Sequence, residues 1–163
     1  MIVAGRGSGD GIKLVLEAEE AMLLSELADQ VDSVLLLGTD DDPALGRLLP
    51  NAYPDDAEAA HDYTRYTRES LVDGKRQAAQ QVRDATNVEG GDRLVEIELD
   101  QVQAWGWLTF LTDLRLILAE RVGIGEEGTP EEDEQRDDYL RAAYEWAGFV
   151  QGSMLEVLDP TES

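Results

Sequence analysis

From Ala104 to Ala119 the chain reads AWGWLTFLTDLRLILA, with Asp113 and Arg115 as its only charges. At these spacings apolar side chains go most of the way round an α-helix. A helix without a broad polar face has to be surrounded by other elements. The run falls short of the roughly 20 consecutive apolar residues that a membrane-spanning helix needs. It therefore predicts a buried central helix inside a bundle, and 163 residues suffice for one domain with a proper core.

The flanking sequence supplies the rest of the bundle. Ile12, Leu14 and Leu16 alternate with Lys13 and Val15, a short half-buried strand. From Glu17 the period becomes helical, with Leu24, Leu27, Val31 and Val34 on the inward stripe and Gly38 as the stop. Asp42-Pro43 opens a short helix through Leu49. Asp55 and Glu58 form a capping-box pattern ahead of a helix reaching Ala85, whose inward line is Leu71, Gly74, Ala78, Val82 and Ala85. Gly74 on that line marks a close approach or a break.

Arg93–Leu99 alternates again (Val95, Ile97, Leu99), and Asp100 with Gln103 caps the central helix. A last helix, 133–158, carries Leu140, Ala143, Ala147, Val150, Met154 and Val157 at heptad spacing, a line that serves a core or a homodimer equally well. The expected fold is mainly α, a single-domain bundle of four to five helices with a minor two-stranded β-sheet. Residues 1–11 read as a flexible Gly-rich N-terminus, 12–158 as the domain and 159–163 as a C-terminal tail.

The two strand–helix junctions are alike. Leu14, Leu16, Glu17, Glu20, Ala21, Leu24, Leu27 and Val31 fall on Ile97, Leu99, Asp100, Gln103, Ala104, Trp107, Phe110 and Leu114 at one constant offset. This is either one strand–helix unit used twice or two solutions to the same local problem.

Charge excludes several functions. Thirty-six Asp and Glu face thirteen Lys and Arg, a net charge of −23. The few cations are scattered, so nothing displaces counterions from phosphates, and neither nucleic acid nor an anionic membrane is an expected partner. With no Cys and a single His, His61, thiol chemistry and His-rich metal sites are ruled out within the chain, and no cofactor is expected. Gly5–Gly11 precedes a strand and lacks a Gly-Lys-Ser/Thr ending, so it is not a phosphate loop. No secretory leader is visible, and the expected location is the cytoplasm.

Arg115 shares a helix face with Leu108, Leu111, Leu118 and Val122. Its guanidinium is thus expected either in a buried ion pair with a carboxylate of another helix or in an anion-binding pocket. Asp113 lies on a different face and is expected to reach another helix or a backbone N–H. Tyr53, Tyr63 and Tyr66 lie where the apolar line is weakest and form the candidate interaction surface.

Two stretches carry a family resemblance: DPALGRLLPNAYPDDAEAAHDY from Asp42 to Tyr63, and WLTFLTDLRL from Trp107, ending in Arg121-Val-Gly-Ile124. With the first strand and the Trp146-Ala-Gly-Phe-Val-Gln-Gly helix, residues 13–158 resemble an actinobacterial family of unknown function. That family is usually encoded beside the ClpS protease adaptor and is sometimes labelled a transcriptional regulator. The resemblance implies no catalytic residues. It implies regulation through a protein such as a sigma factor, since the chain has no basic helix for a DNA groove.

The expected function is therefore a non-catalytic cytoplasmic regulator or adaptor, monomer or homodimer, that binds a protein partner with a basic rim. The alternative is an enzyme or small-ligand binder with an anion pocket around Arg115. The acidity itself also fits simple salt adaptation.

Overall fold

The computed structural model describes residues 1–5, 11–38, 41–49, 57–87, 93–122 and 130–158, and of these the side chains of all but 57–67, 122 and 130–135. Three strands, β1 (Ile2–Gly5), β2 (Ile12–Glu17) and β3 (Leu94–Leu99), form one antiparallel sheet in the order β1-β2-β3. The helices are α1 (Ala18–Leu37), α2 (Pro43–Leu48), α3 (Ala57–Thr86), α4 (Gln101–Val122) and α5 (Pro130–Leu158). The mainly α fold expected from the sequence is present, with one strand more than its pattern suggested.

That extra strand lies in the segment expected to be a flexible lead-in. Ile2 to Gly5 pairs with Val15 to Ile12, with Val3 opposite Leu14. Without it, the free edge of β2 would leave its backbone N–H and C=O groups without ladder partners. The end of α5 packs beside β1, and Val157 lies 3.7 Å from where a Cβ on Gly5 would stand.

Strands β2 and β3 are joined in a register that matches the likeness of the two junctions. Leu14 pairs with Ile97, and these are the residues that the constant offset makes equivalent. A two-fold axis through an antiparallel pair carries each residue of one strand onto its counterpart in the other, so this register places Leu16 on Leu99 and Ile12 on Val95. Burial continues the equivalence along the helices. Ala21, Leu24, Leu27, Ala28, Val31 and Leu35 are buried in α1, as are Ala104, Trp107, Phe110, Leu111, Leu114 and Leu118 in α4. The N-termini agree as well: Glu17 N–H donates to Glu20 Oε1 and Asp100 N–H to Gln103 Oε1, both at 2.9 Å. The two strand–helix junctions thus match in register, cap and six buried positions, with the local dyad of the β2–β3 pair between the equivalent residues.

The core lies between the inner face of the sheet and the helices, and it takes Ala143, Ala147, Val150 and Met154 from the α5 heptad line. Those four residues thus serve the chain's own interior. Helix α3 departs from expectation. Among its described side chains the buried ones are Ala78, Ala79, Val82 and Thr86, whereas Leu71 is 40% exposed and Gly74 has open space around it. Gly74 neither breaks the helix, which runs on to Thr86, nor marks a close approach, because a Cβ there would meet nothing within 4 Å. Gly38 does stop α1, but in extended backbone (φ −62°). A Cβ there would run into the carbonyl of Val34. Among the described residues no helix is long and apolar enough to cross a membrane.

Candidate functional site

Helix α4 lies between α3 and α5, and each contact is marked by polar side chains. On the α3 side, Lys75 Nζ donates to Asp113 Oδ1 at 2.7 Å, and Gln81 Nε2 reaches the Gln103 carbonyl at 3.4 Å. On the α5 side, Gln151 Nε2 donates to Thr112 Oγ1 at 2.6 Å while its Oε1 accepts from Arg115 at 3.0 Å.

Among the described residues Asp113 is the one buried charged side chain, 1% exposed. Burial pushes its pKa above the ordinary carboxylate range, and the hydrogen bond from Lys75 pulls it part of the way back. Its second oxygen, Oδ2, is buried without a hydrogen-bond partner among the described residues. The expectation that Asp113 reaches another helix is met.

Arg115 differs from expectation. It is half-buried and has no carboxylate partner among the described residues. Its guanidinium bonds Gln151 and, at 3.1 Å, the Tyr144 hydroxyl, lies 4.7 Å from the Tyr144 ring centroid and rests on Gly148. The cation is stabilised by a ring face and neutral oxygens. Gly148 leaves the guanidinium room, since a Cβ would stand 3.3 Å from its central carbon and press on it. With Nε also buried, the group is closed in and offers little to an incoming anion.

Above these contacts runs an open groove of about 440 Å³, lined by Trp105, Leu108, Thr109, Thr112 and Asp113 of α4, Lys75 of α3, and Gln151 and Leu155 of α5. The central helix is therefore not fully enclosed, contrary to the reading of its sequence. Val102 is 81% and Trp105 50% exposed, and Thr109 and Thr112 also face outward. Both threonine hydroxyls donate back to their own helix, at the Trp105 and Leu108 carbonyls. The groove lining is thus aromatic, aliphatic and hydroxyl-bearing, with both threonine donors engaged and the Lys75–Asp113 pair at its α3 side. Of the tyrosines proposed as an interaction surface, Tyr53 lies outside the described residues, and Tyr63 and Tyr66 lie in α3 outside the described side chains. Among the described residues no cluster of three or more His, Asp or Glu is placed to hold a metal ion.

These features define a helical domain with two matching strand–helix junctions and an open, largely apolar groove on the helix of the second. Residues 3–158 match the family described as a domain of unknown function, DUF2017, and the chain belongs to that family. Proteins named oxidative stress regulator AosR, from Mycobacterium bovis and Mycobacterium tuberculosis, are 36% identical over 100 residues, covering 53% of this chain and 44% of theirs. The similarity thus spans less than half the length of those relatives. No solved structure matches the chain.

Proposed function

We propose that this protein is a regulator that works by binding another protein and carries out no catalysis of its own. The observation that carries this reading is the groove along α4: a largely apolar and hydroxyl-bearing lining with exposed Trp105, whose charges, Lys75 and Asp113, are paired with each other. A surface of this kind offers contact area in place of reactive groups. The name of the mycobacterial relatives adds support for a regulatory role. With no Cys among its 163 residues, a thiol of this chain is not the sensor of any oxidant. The net charge of −23 favours a partner with a basic rim, consistent with indirect regulation through a transcription or sigma factor in the cytoplasm, and disfavours direct contact with DNA.

The test is a deletion strain of the source organism, compared with its parent by transcript profiling before and after peroxide challenge, together with a gel shift of the purified chain on duplex DNA. A changed transcript set and no shift at physiological salt are expected. An unchanged transcript set, sequence-specific DNA binding by the chain alone, or turnover of a small molecule would overturn the reading.

A further inference from the structure

The likeness of the two junctions provides a control for the groove. The outward positions of α1 are Glu19, Met22, Glu26, Asp29, Ser33 and Leu36, and their equivalents on α4 are Val102, Trp105, Thr109, Thr112, Leu116 and Ala119. All are exposed except Leu116, which is half-buried. The two helices share six equivalent buried positions and each follows a strand, although α4 also buries Leu108, Asp113 and Ile117; one outward stripe carries three acids and the other no charge. Asp29 even holds Arg83 of α3 at 3.1 Å, as a solvated face does. The fold therefore tolerates acids at these positions of α1. On α4, Leu116 packs against the core and Thr112 holds Gln151, but the exposed Val102, Trp105 and Thr109 are uncharged in a chain with 36 acids without such a packing role.

The stripe recurs at alternating spacings of three and four residues, the seam into which another helix packs. From Val102 to Leu116 it runs about 21 Å, roughly four turns. Its walls on α3 and α5 leave the groove open along α4. Charge then chooses among occupants. A second copy approaches with the same net −23, and an acidic helix meets the same repulsion. Lys75 near the groove is neutralised by Asp113, and the one remaining cation there among the described residues, Arg115, is small against a net charge of −23.

We infer that the groove between α3 and α5 receives an amphipathic helix of a partner protein, its apolar stripe laid along Trp105, Leu108, Thr109, Thr112 and Leu155 and its outer face basic. This is a helix-in-groove interface, with Trp105 as the aromatic anchor and charge setting the encounter rate. The inference rests on the regulatory reading above and adds to it the surface and the kind of segment recognised.

The test uses two synthetic peptides of about 18 residues that share one Leu stripe and differ only in Lys or Glu on the outer face. Binding to the full chain is followed by fluorescence anisotropy at about 50 and 300 mM NaCl. The basic peptide is expected to bind, at least about tenfold tighter than its acidic twin. Thr109→Glu and Trp105→Ala each weaken it about tenfold, while Glu26→Thr, at the equivalent place on α1, changes it less than about twofold. Thr109→Glu is the decisive variant because it adds an acid. Unspecific attraction of a basic peptide would strengthen, whereas seating in the groove is blocked.

Equal binding of the two peptides, or a Thr109→Glu chain that binds as well as wild type, overturns the proposal. So does a dimer by light scattering that Trp105→Glu converts to monomer, since the occupant would then be a second copy. Complementation separates this failure from that of the regulatory reading. If Thr109→Glu restores the deletion strain in full, the groove proposal falls and regulation stands. If deletion has no transcript effect, the regulatory reading falls first.

Discussion

Replacing Lys75 with Met keeps the length and apolar stem of the side chain and removes only the cation that faces Asp113. The partner is stranded at 1% exposure with Oδ2 already unpaired. Breaking a buried pair from one side costs about 3–5 kcal/mol. The carboxyl has an escape that sets a ceiling, because it can take up a proton. A free Asp titrates near pH 3.9, so holding it protonated costs about 4 kcal/mol at pH 7 and about 1.5 kcal/mol at pH 5. Since the Lys75 side chain keeps 18% of its exposure and solvent reaches that edge of the pair, we expect a loss of about 2–4 kcal/mol at pH 7.

The direction with pH follows from linkage. Burial has already raised the Asp113 pKa in the folded chain, and losing Lys75 raises it further. The folded state then holds a proton that the unfolded chain releases. That contribution is fully present below the unfolded pKa near 3.9 and is lost as pH rises through the raised folded value. Urea denaturation of wild type and Lys75→Met at pH 5 and pH 7 measures it, and the deficit should shrink to no more than about 1.5 kcal/mol at pH 5. Adding Asp113→Asn should recover most of the pH 7 loss. A deficit under about 1 kcal/mol at pH 7, or one equal at both pH values, would refute the argument that Asp113 is a buried charge held by Lys75.

Gly74→Ala should stabilise the chain by about 0.5–1 kcal/mol, because the position is helical with open space around it; chemical denaturation reads this directly. Arg115→Leu should cost only about 1–2 kcal/mol, since no carboxylate among the described residues is stranded by it. Gly148→Ala should be near neutral alone and gain about 1 kcal/mol in the Arg115→Leu background, where the added methyl no longer presses on the guanidinium. Thermal melts should shift upward from 0.1 to 1 M NaCl, because screening relieves the self-repulsion of net charge −23; a flat or falling melting temperature would mean that ion pairs such as Arg76–Asp32 outweigh it.

Local chemistry carried most of the fold into the sequence. The alternation of Ile12–Leu16 and Val95–Leu99, the caps at Asp42 and Asp100, and the heptad line of α5 each follow from periodicity or from backbone donors that need partners. Where a feature depended on what lay opposite, the sequence was silent. Strand β1 has no alternation to announce it and exists because β2 has a free edge. Lys75 and Asp113 meet across 38 positions of chain, a pairing fixed by how α3 lies on α4. Arg115 was rightly placed as an interior cation, but its partners, Tyr144 and Gln151, are neutral and gave no charge signal. The open groove was hidden because an apolar stripe reads alike whether it faces a core or solvent. Comparing the helices of the two junctions, with Glu26 against Thr109 and Asp29 against Thr112, was the signal that could have exposed it.

The dyad through Leu14 and Ile97 also has a consequence in time. Strand β2 is made early and its proper neighbour β3 late, with all of α1, α2 and α3 between them. At synthesis rates of about 5–20 residues per second, the stretch from Glu17 to Leu94 occupies roughly 4–15 s. Through that interval a hairpin of β1 and β2 offers the sticky edge and apolar face of Ile12, Leu14 and Leu16 to any other extended chain nearby. The nascent protein is thus most prone to misassociate while it is half made, and slowing translation before residue 94 should lower the yield of folded chain more than slowing it afterwards.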